Sequence, residues 1–116
     1  MLLNLSNHPS EAWPINQRLM AIEKYHSITD LPFPPIDPYW GIAEVLDLTA
    51  DYVQKIRGID PIAIHIMGEL TFTLNLVNQL KAIGFSCVAS TTERIATTDE
   101  FGNKTSTFRF VQFRPY

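Results

Sequence analysis

Three short segments carry side chains that can transfer protons or bind phosphate: Ser6–Ser10, Met67–Thr71 and Ser90–Arg94. His8, in the first segment, has an imidazole, the side chain that most readily exchanges a proton near neutral pH. Arg94 is the single cation of the three segments and can neutralise phosphate charge. The residue types therefore predict a site for a phosphate-containing ligand, with His8 as a candidate acid or base.

The segment Pro61–Ile83 contains the central elements that must position these groups. Ile62–Met67 is apolar and rich in β-branched residues, which predicts a strand buried on both faces. After the Gly68-Glu69 turn, apolar residues recur at helical spacing at Phe72, Leu76, Leu80 and Ile83, and Gly84 is a predicted C-cap. Strand, turn and helix form a βα unit, and the free NH groups at the helix start are predicted to face a ligand above the strand.

The first half of the chain predicts two more βα units. Leu2–Leu5 is a predicted strand, and Ser10 is the predicted N-cap of a helix that ends near Tyr25. The apolar stripe of that helix is predicted at Ile15, Leu19 and Ile22. A second strand is predicted at Ser27–Leu31, followed by a stiff loop over Pro32–Pro38 and a second helix from about Trp40 to Ile56, stopped by Gly58.

The C-terminal part predicts further strands. Phe85–Ser90 is the fourth strand, with Thr91–Arg94 as the loop at its end. Arg94–Thr98 and Thr105–Phe113 flank turn residues and predict a hairpin. Strand alternation places Phe108 and Phe110 on one face of this hairpin and Phe113 on the other.

The predicted order, βαβαβαββ, indicates an α/β fold: a Rossmann-like, three-layer domain with a mainly parallel sheet and a C-terminal antiparallel hairpin. The chain of 116 residues is expected to form one domain, 1–116. Ligands of such sheets bind beyond the carboxyl ends of the strands, where the strand order reverses. The three polar segments are predicted to meet there.

Composition excludes several classes of function. The net charge of −3 argues against sequence-independent binding to duplex DNA, and no apolar run is long enough to span a bilayer. The single cysteine, Cys87, lies among apolar residues and is expected to be a buried thiol, which fits a cytoplasmic protein. No G-x-G-x-x-G, phosphate-loop or H-E-x-x-H motif occurs, so no cofactor and no metal site are expected.

Each candidate residue also has a purely structural interpretation. His8, Ser6 and Ser10 can be turn or cap residues, Glu69 a favourable charge at a helix start, and Arg94 a solvated surface group. His26 follows a helix end and suits the helix dipole there. His65 alternates within a buried strand and is interpreted as a core residue whose polar atoms are satisfied.

The stretches LLNLSNHPS, IMGELTFTLNLVNQLKAIG, VASTTER and FRFVQFRPY together resemble small stand-alone CRISPR-associated Rossmann-fold (CARF-like) proteins of the ring nuclease type. The resemblance implies binding of a cyclic oligoadenylate, with the tetramer expected, at a two-fold homodimer interface. Ring nucleases also cleave this messenger. The chain lacks the attached nuclease domain of the larger CARF effectors, so the resemblance implies removal, sequestration or sensing of the messenger.

The resemblance implies a metal-independent cleavage in which a ribose 2′-OH attacks the adjacent phosphate and leaves a 2′,3′-cyclic phosphate. His8 would protonate the leaving oxygen, Arg94 would stabilise the phosphorane charge, and Ser6 would hold a ribose or base, so these three are the candidate catalytic residues. The remaining candidates are ligand-binding residues: Asn7, Ser10, Met67, Gly68, Glu69, Thr71, Ser90, Thr91 and Thr92.

Two other classes of function stay open at this point. One is a non-catalytic protein that sequesters or senses a nucleotide with the same loops. The other is a small structural or interaction protein that uses the loop Pro32–Pro38 and Tyr39-Trp40 as its contact surface, although the same loop can be a rigid crossover packed on the sheet.

Overall fold

A computed structural model describes residues 1–116 and has the predicted α/β architecture. The strands form one five-stranded sheet in the order β2-β1-β3-β4-β5, in which β5 alone is antiparallel. In chain order the elements are β1 (Leu2–Ser6), a 3-10 turn (Ser10–Ala12), α1 (Ile15–Tyr25), β2 (Ile28–Asp30), α2 (Ile42–Ile59), β3 (Ala63–Met67), α3 (Leu70–Ala82), β4 (Ser86–Thr98) and β5 (Lys104–Pro115). The predicted Rossmann-like fold with a C-terminal hairpin is confirmed.

Strand order reverses between β1 and β3. The chain moves from β1 outward to β2 through α1, then returns past β1 to β3 through α2 and continues to β4 through α3. Two separate cores result, one with α2 and α3 against one face of the sheet and the other with α1 against the opposite face. In this topology the loops after β1 and β3 diverge to opposite faces, which opens a crevice above their carboxyl ends.

The predicted inner face of α3 is confirmed except at Ile83, which caps the helix and is 49% exposed. Phe72, Leu76 and Leu80 of α3 are fully buried against β1 and β3, and Gly84 has the positive φ of 95° expected just past a helix end. The predicted end of α2 was wrong, because the helix continues through Gly58 to Ile59. Asp60 ends it in the left-handed conformation, with φ of 52°.

The predicted inner face of α1 was wrong. Ile15 and Leu19 are 68% and 58% exposed, whereas Gln17 and Ala21 are buried. The space against the sheet on this side is filled by three aromatic rings from outside the helix, Trp13, Phe110 and Phe113. The helix therefore turns its smaller side chains toward the sheet. The predicted N-cap was also wrong, because α1 begins after Pro14.

The predicted break after the fourth strand was wrong, because Ser90–Arg94 belongs to β4 and pairs with β5 along its whole length. A bulge opposite Thr91 and Thr92 inserts Val111 as an extra residue in β5. This shift places Phe110 and Phe113 on the same face, with ring centroids 5.0 Å apart, where alternation predicted opposite faces.

Beyond Val88, β4 pairs only with β5, so the hairpin leaves the sheet as a two-stranded arm. Most of its side chains are exposed, Phe101 and Phe108 among them. Glu93 and Arg109 form an ion pair across it on the face opposite α1. A two-stranded ribbon buries little apolar surface by itself, so the arm depends on the domain at its base.

Candidate functional site

A cavity of about 510 Å³ lies at the point where strand order reverses. Its floor comes from the ends of β1 and β3, one wall from the segment between β1 and α1, and the other wall from the base of the hairpin. We call it the switch-point cavity; it is lined by Ser6, Asn7, His8, Ala12, Trp13, Pro14, Gln17, His65, Met67, Gly68, Ser90, Thr92, Phe108 and Phe110.

The lining combines aromatic rings with uncharged hydrogen-bonding groups. Trp13, Phe108 and Phe110 supply the rings, while two amides, three hydroxyls and two histidines supply the polar atoms. Lysine, arginine, aspartate and glutamate are absent from the lining. Such a surface favours a planar, largely neutral group such as a nucleobase or nucleoside over a bare phosphate.

A buried hydrogen-bond network at the floor determines the tautomer of His65. The Asn4 amide nitrogen donates to the His8 carbonyl at 2.9 Å and to the Asp30 carboxylate at 2.8 Å, and both of these groups can only accept. The Asn4 amide oxygen must therefore be the atom 2.9 Å from His65 Nδ1. An amide oxygen only accepts, so Nδ1 of the neutral ring carries the proton and Nε2 carries the lone pair.

His65 is only half satisfied, which corrects its interpretation as a fully satisfied core residue. The side chain is 2% exposed, and its Nε2 has no hydrogen-bond partner. Burial, and to a lesser degree the charge of His8, lowers the pKa of His65 to about 4. The imidazole is therefore neutral at physiological pH, and its free atom is an acceptor.

The segment after β1 is held by the same network. The Ser6 hydroxyl donates to the Asn4 oxygen at 2.9 Å and accepts from the His8 NH at 3.2 Å. The His8 carbonyl accepts from the Trp13 indole at 3.1 Å. These bonds leave the exposed His8 side chain at the cavity while its backbone is anchored at both ends. Ser6 thus stabilises the turn after β1, as its structural interpretation predicted, and also lines the cavity.

The NH groups at the start of α3 are not free, which corrects the anion site expected there. The Glu69 carboxylate accepts from the Thr71 NH at 3.1 Å and from the Phe72 NH at 2.8 Å. The Phe72 NH is the main cause that lowers the pKa of Glu69, so the carboxylate stays ionised. A negative cap already occupies this helix end, and neither Glu69 nor Thr71 lines the cavity.

Gly68 lines the cavity, but its missing side chain serves packing on the other side. A Cβ at this position would overlap the ring of Phe33. Phe33 packs edge-on against Phe72, with ring centroids 5.4 Å apart, and Ile36 also packs on this core. The loop Pro32–Pro38 is accordingly a crossover packed on the domain, and Gly68 makes room for it.

Three more candidates lie away from the cavity. Arg94 is directly opposite Phe108 in the arm, where its guanidinium donates to the Ser106 hydroxyl at 2.9 Å. Thr91 is on the face opposite α1, since it pairs with Gln112. Ser10 donates through its hydroxyl to Asp30 at 3.0 Å in the 3-10 turn. The structure therefore brings together seven of the twelve candidates: Ser6, Asn7, His8, Met67, Gly68, Ser90 and Thr92.

Residues 1–114 match a protein-family model described as the uncharacterized protein MJ1673 family. The chain belongs to this family. No curated protein and no solved structure matches the chain.

In this member of the MJ1673 family, sequence reasoning missed Trp13, Gln17, Phe108 and Phe110 as lining residues, and it assigned His65 to the core. A signal for the first two existed, because Trp13, Gln17 and Ala21 recur every four residues, and the last two are the buried residues of α1. The polar Gln17 interrupts that stripe and hides it. The backbone NH of Gln17 donates to Pro14 and Asn16, but its side-chain amide makes no hydrogen bond within the chain, although the residue is buried.

Two other kinds of feature, a metal-binding cluster and a membrane-spanning helix, are absent from the structure. No group of three or more histidine, cysteine, aspartate or glutamate side chains is arranged to hold a metal ion. None of the helices combines the length and apolar character that a membrane crossing requires.

Proposed function

We propose that this protein binds a cyclic oligoadenylate and that an adenosine unit of the ring occupies the switch-point cavity. The observation that carries the proposal is the lining itself: aromatic rings and uncharged donors and acceptors meet at the place where open α/β sheets bind nucleotides. The cavity volume of about 510 Å³ is in the range of small-ligand sites. The motif resemblance to CARF-like proteins supplies the ligand class.

The proposal includes a homodimer in which two such cavities face one ring, with the tetra-adenylate as the expected ligand. Two observations support it. The cavity of one chain has no lysine or arginine to neutralise the phosphates of the ring, so that charge would come from a second chain. The arm also exposes Phe101 and Phe108, which a partner chain could cover. Two-fold dimers are the commonest assemblies, and one would bring a second copy of the arm within reach. We also propose a cytoplasmic location, which suits a buried free thiol, Cys87.

Tryptophan fluorescence provides a direct test. The chain has two tryptophans, Trp13 in the cavity wall and Trp40 outside it. In a Trp40→Phe variant the emission comes from Trp13 alone, so cyclic tetra-adenylate is expected to change the emission saturably. Cyclic tri- and hexa-adenylate and linear tetra-adenylate serve as comparisons. An unchanged spectrum with all four ligands, together with no heat in calorimetry, would reject the proposal.

The dimer has its own test in sedimentation at micromolar protein with and without cyclic tetra-adenylate. We expect two chains per complex. A purely monomeric complex with one ring per chain would overturn the shared-ring arrangement while leaving nucleotide binding intact.

Cleavage of the ring is a second candidate, favoured by one observation: His8 and His65 line the same cavity together with the Ser6 hydroxyl. A 2′-OH attack needs a proton acceptor and a proton donor, and two imidazoles can supply both. His8 is the exposed member of the pair and the candidate acid. Arg94 can take part only through a partner chain, because in its own chain it lies outside the cavity.

Chromatography of cyclic tetra-adenylate incubated with the protein in EDTA tests cleavage. Linear products ending in a 2′,3′-cyclic phosphate are expected, and His8→Ala should slow the single-turnover rate about 10²-fold or more. A matched variant, His26→Asn, removes a histidine outside the cavity and should react like the wild type. Tight binding with an intact ring would leave sequestration or sensing as the function.

A further inference from the structure

Two buried side-chain polar atoms lack a hydrogen-bond partner, His65 Nε2 and Thr73 Oγ1. Only the first belongs to a residue that lines the switch-point cavity. Buried acceptors are nearly always paired in folded proteins, so an orphan at a cavity wall indicates a partner that arrives from outside the chain. The network described above also determines that His65 Nε2 is an acceptor, because Nδ1 donates to Asn4 and leaves the lone pair on Nε2.

We propose that His65 Nε2 is the acceptor by which the cavity recognises a neutral hydrogen-bond donor of its ligand. In the adenosine unit of the proposed function, on which this inference rests, the donors of this kind are the exocyclic amino group and the ribose 2′-hydroxyl. A carbonyl oxygen at the same place would face the lone pair and be repelled. The ring cannot reverse its tautomer cheaply, because Nδ1 would then direct a lone pair at the Asn4 oxygen.

Nε2 has less than 1 Å² of solvent-accessible surface in the free chain, so a neighbouring side chain has to move before a donor can reach it. Trp13 and Phe113 pack edge-on against His65, with ring centroids 5.2 Å and 5.7 Å away. Phe113 is fixed in β5, whereas Trp13 lies between the 3-10 turn and α1. The side chain of Trp13 makes one hydrogen bond, from its indole NH to the His8 carbonyl. Trp13 is therefore the ring that shifts when ligand enters.

Ligand analogues test the recognition. Cyclic tetra-adenylate, cyclic tetra-inosinate and a 2′-deoxy ring are titrated against the wild type, His65→Phe and the control His26→Asn. The inosinate replaces the amino donor by a carbonyl, and the deoxy ring removes the hydroxyl. In the wild type and in His26→Asn we expect one of the two analogues to bind at least about tenfold more weakly than the adenylate. In His65→Phe that difference should disappear.

The outcomes separate the two proposals. Equal affinity of the wild type for all three rings overturns the role of His65 but leaves nucleotide binding standing. The same discrimination in wild type and in His65→Phe also overturns it. Failure of the wild type to bind any ring rejects the proposed function and this inference with it.

A measurement on the wild type covers the case in which His65→Phe does not fold. Two-bond ¹H–¹⁵N spectra identify which imidazole nitrogen is protonated, and we expect His65 in the Nδ1–H form. Addition of cyclic tetra-adenylate should shift the Nε2 resonance upfield, toward that of a hydrogen-bonded nitrogen. An Nε2–H tautomer in the free protein, or an unmoved Nε2 resonance at saturation, would overturn the proposal.

Discussion

Mild acid is expected to destabilise this protein through His65. Burial, followed by the charge of His8, lowers the pKa of His65 to about 4, compared with about 6.5 in an unfolded chain. The unfolded chain therefore binds a proton at a higher pH than the folded one. Stability is fully present above about pH 6.5, decreases as the pH falls, and levels off below about pH 4.

The size of the effect follows from the pKa difference. The whole shift corresponds to about 3 kcal/mol at the usual 1.36 kcal/mol per unit. Integrated between about pH 7 and pH 5, the loss is about 2 kcal/mol, a large fraction of a typical domain stability of about 5–15 kcal/mol. For a chain of this size it corresponds to a fall of about 8 °C in Tm. Most carboxylates stay ionised above pH 5, so this window isolates the histidines.

Urea unfolding at about pH 7 and pH 5 measures the difference for wild type, His65→Phe and His26→Asn. The phenylalanine variant will be less stable at both pH values, because Asn4 loses its buried donor. The stability of His65→Phe should nevertheless change little between about pH 7 and pH 5. His26→Asn keeps a residue that tolerates the positive φ of 76° and should retain the wild-type difference. An undiminished pH dependence in His65→Phe would refute the reasoning.

Three further predictions concern packing, capping and reactivity. Gly68→Ala should destabilise the fold by about 1–3 kcal/mol in urea unfolding, because the new methyl group overlaps Phe33; Gly58→Ala, which meets open space within α2, is the matched control and should stabilise by about 0.5–1 kcal/mol. Glu69→Ala should lower stability by about 1 kcal/mol through loss of the α3 cap, whereas Glu69→Gln, which keeps an acceptor, should lose less. Cys87 should resist iodoacetamide in the folded protein and react readily in urea, since burial raises the pKa of its thiol to about 11.

Each of these predictions has a result that would contradict it. Equal effects of the two glycine substitutions would show that Phe33 gives way without cost. A Glu69→Ala protein as stable as the wild type would mean that water replaces the carboxylate as cap. Rapid alkylation of Cys87 under native conditions would place the thiol nearer to solvent than its 3% exposure indicates.

The sequence by itself determined the features that depend on local geometry. The alternation of strands and helices, the buried character of β3, the inner face of α3 and the position of Gly84 were all predictable. Each reflects a period of 2 or 3.6 residues or a backbone conformation that few residues adopt. The polar loops after β1 and β3 could be placed at one end of the sheet for the same reason, since parallel strands end together.

For α1 and the C-terminal hairpin, the tertiary structure decided which face is covered. The stripe Ile15, Leu19 and Ile22 has helical spacing, yet it faces outward, because aromatic rings from distant parts of the chain fill the space beneath α1. Likewise, a single inserted residue, Val111, turns Phe110 and Phe113 to the same side. Periodicity shows which residues share a face but does not show what packs against it.

The tertiary structure also decided the chemistry of the candidate site. From the sequence, Glu69 is a residue beside NH groups that are expected to be free. The structure shows that its carboxylate already accepts hydrogen bonds from them. In the sequence, His65 is one polar residue in an apolar strand. Its hydrogen bonding depends on Asn4 in the neighbouring strand and on Asp30 one strand further. Asp30 orients the Asn4 amide, the amide determines the tautomer of His65, and the buried Nε2 keeps an unpaired lone pair. Hydrogen bonds between residues so far apart in the chain leave no periodic trace in the sequence.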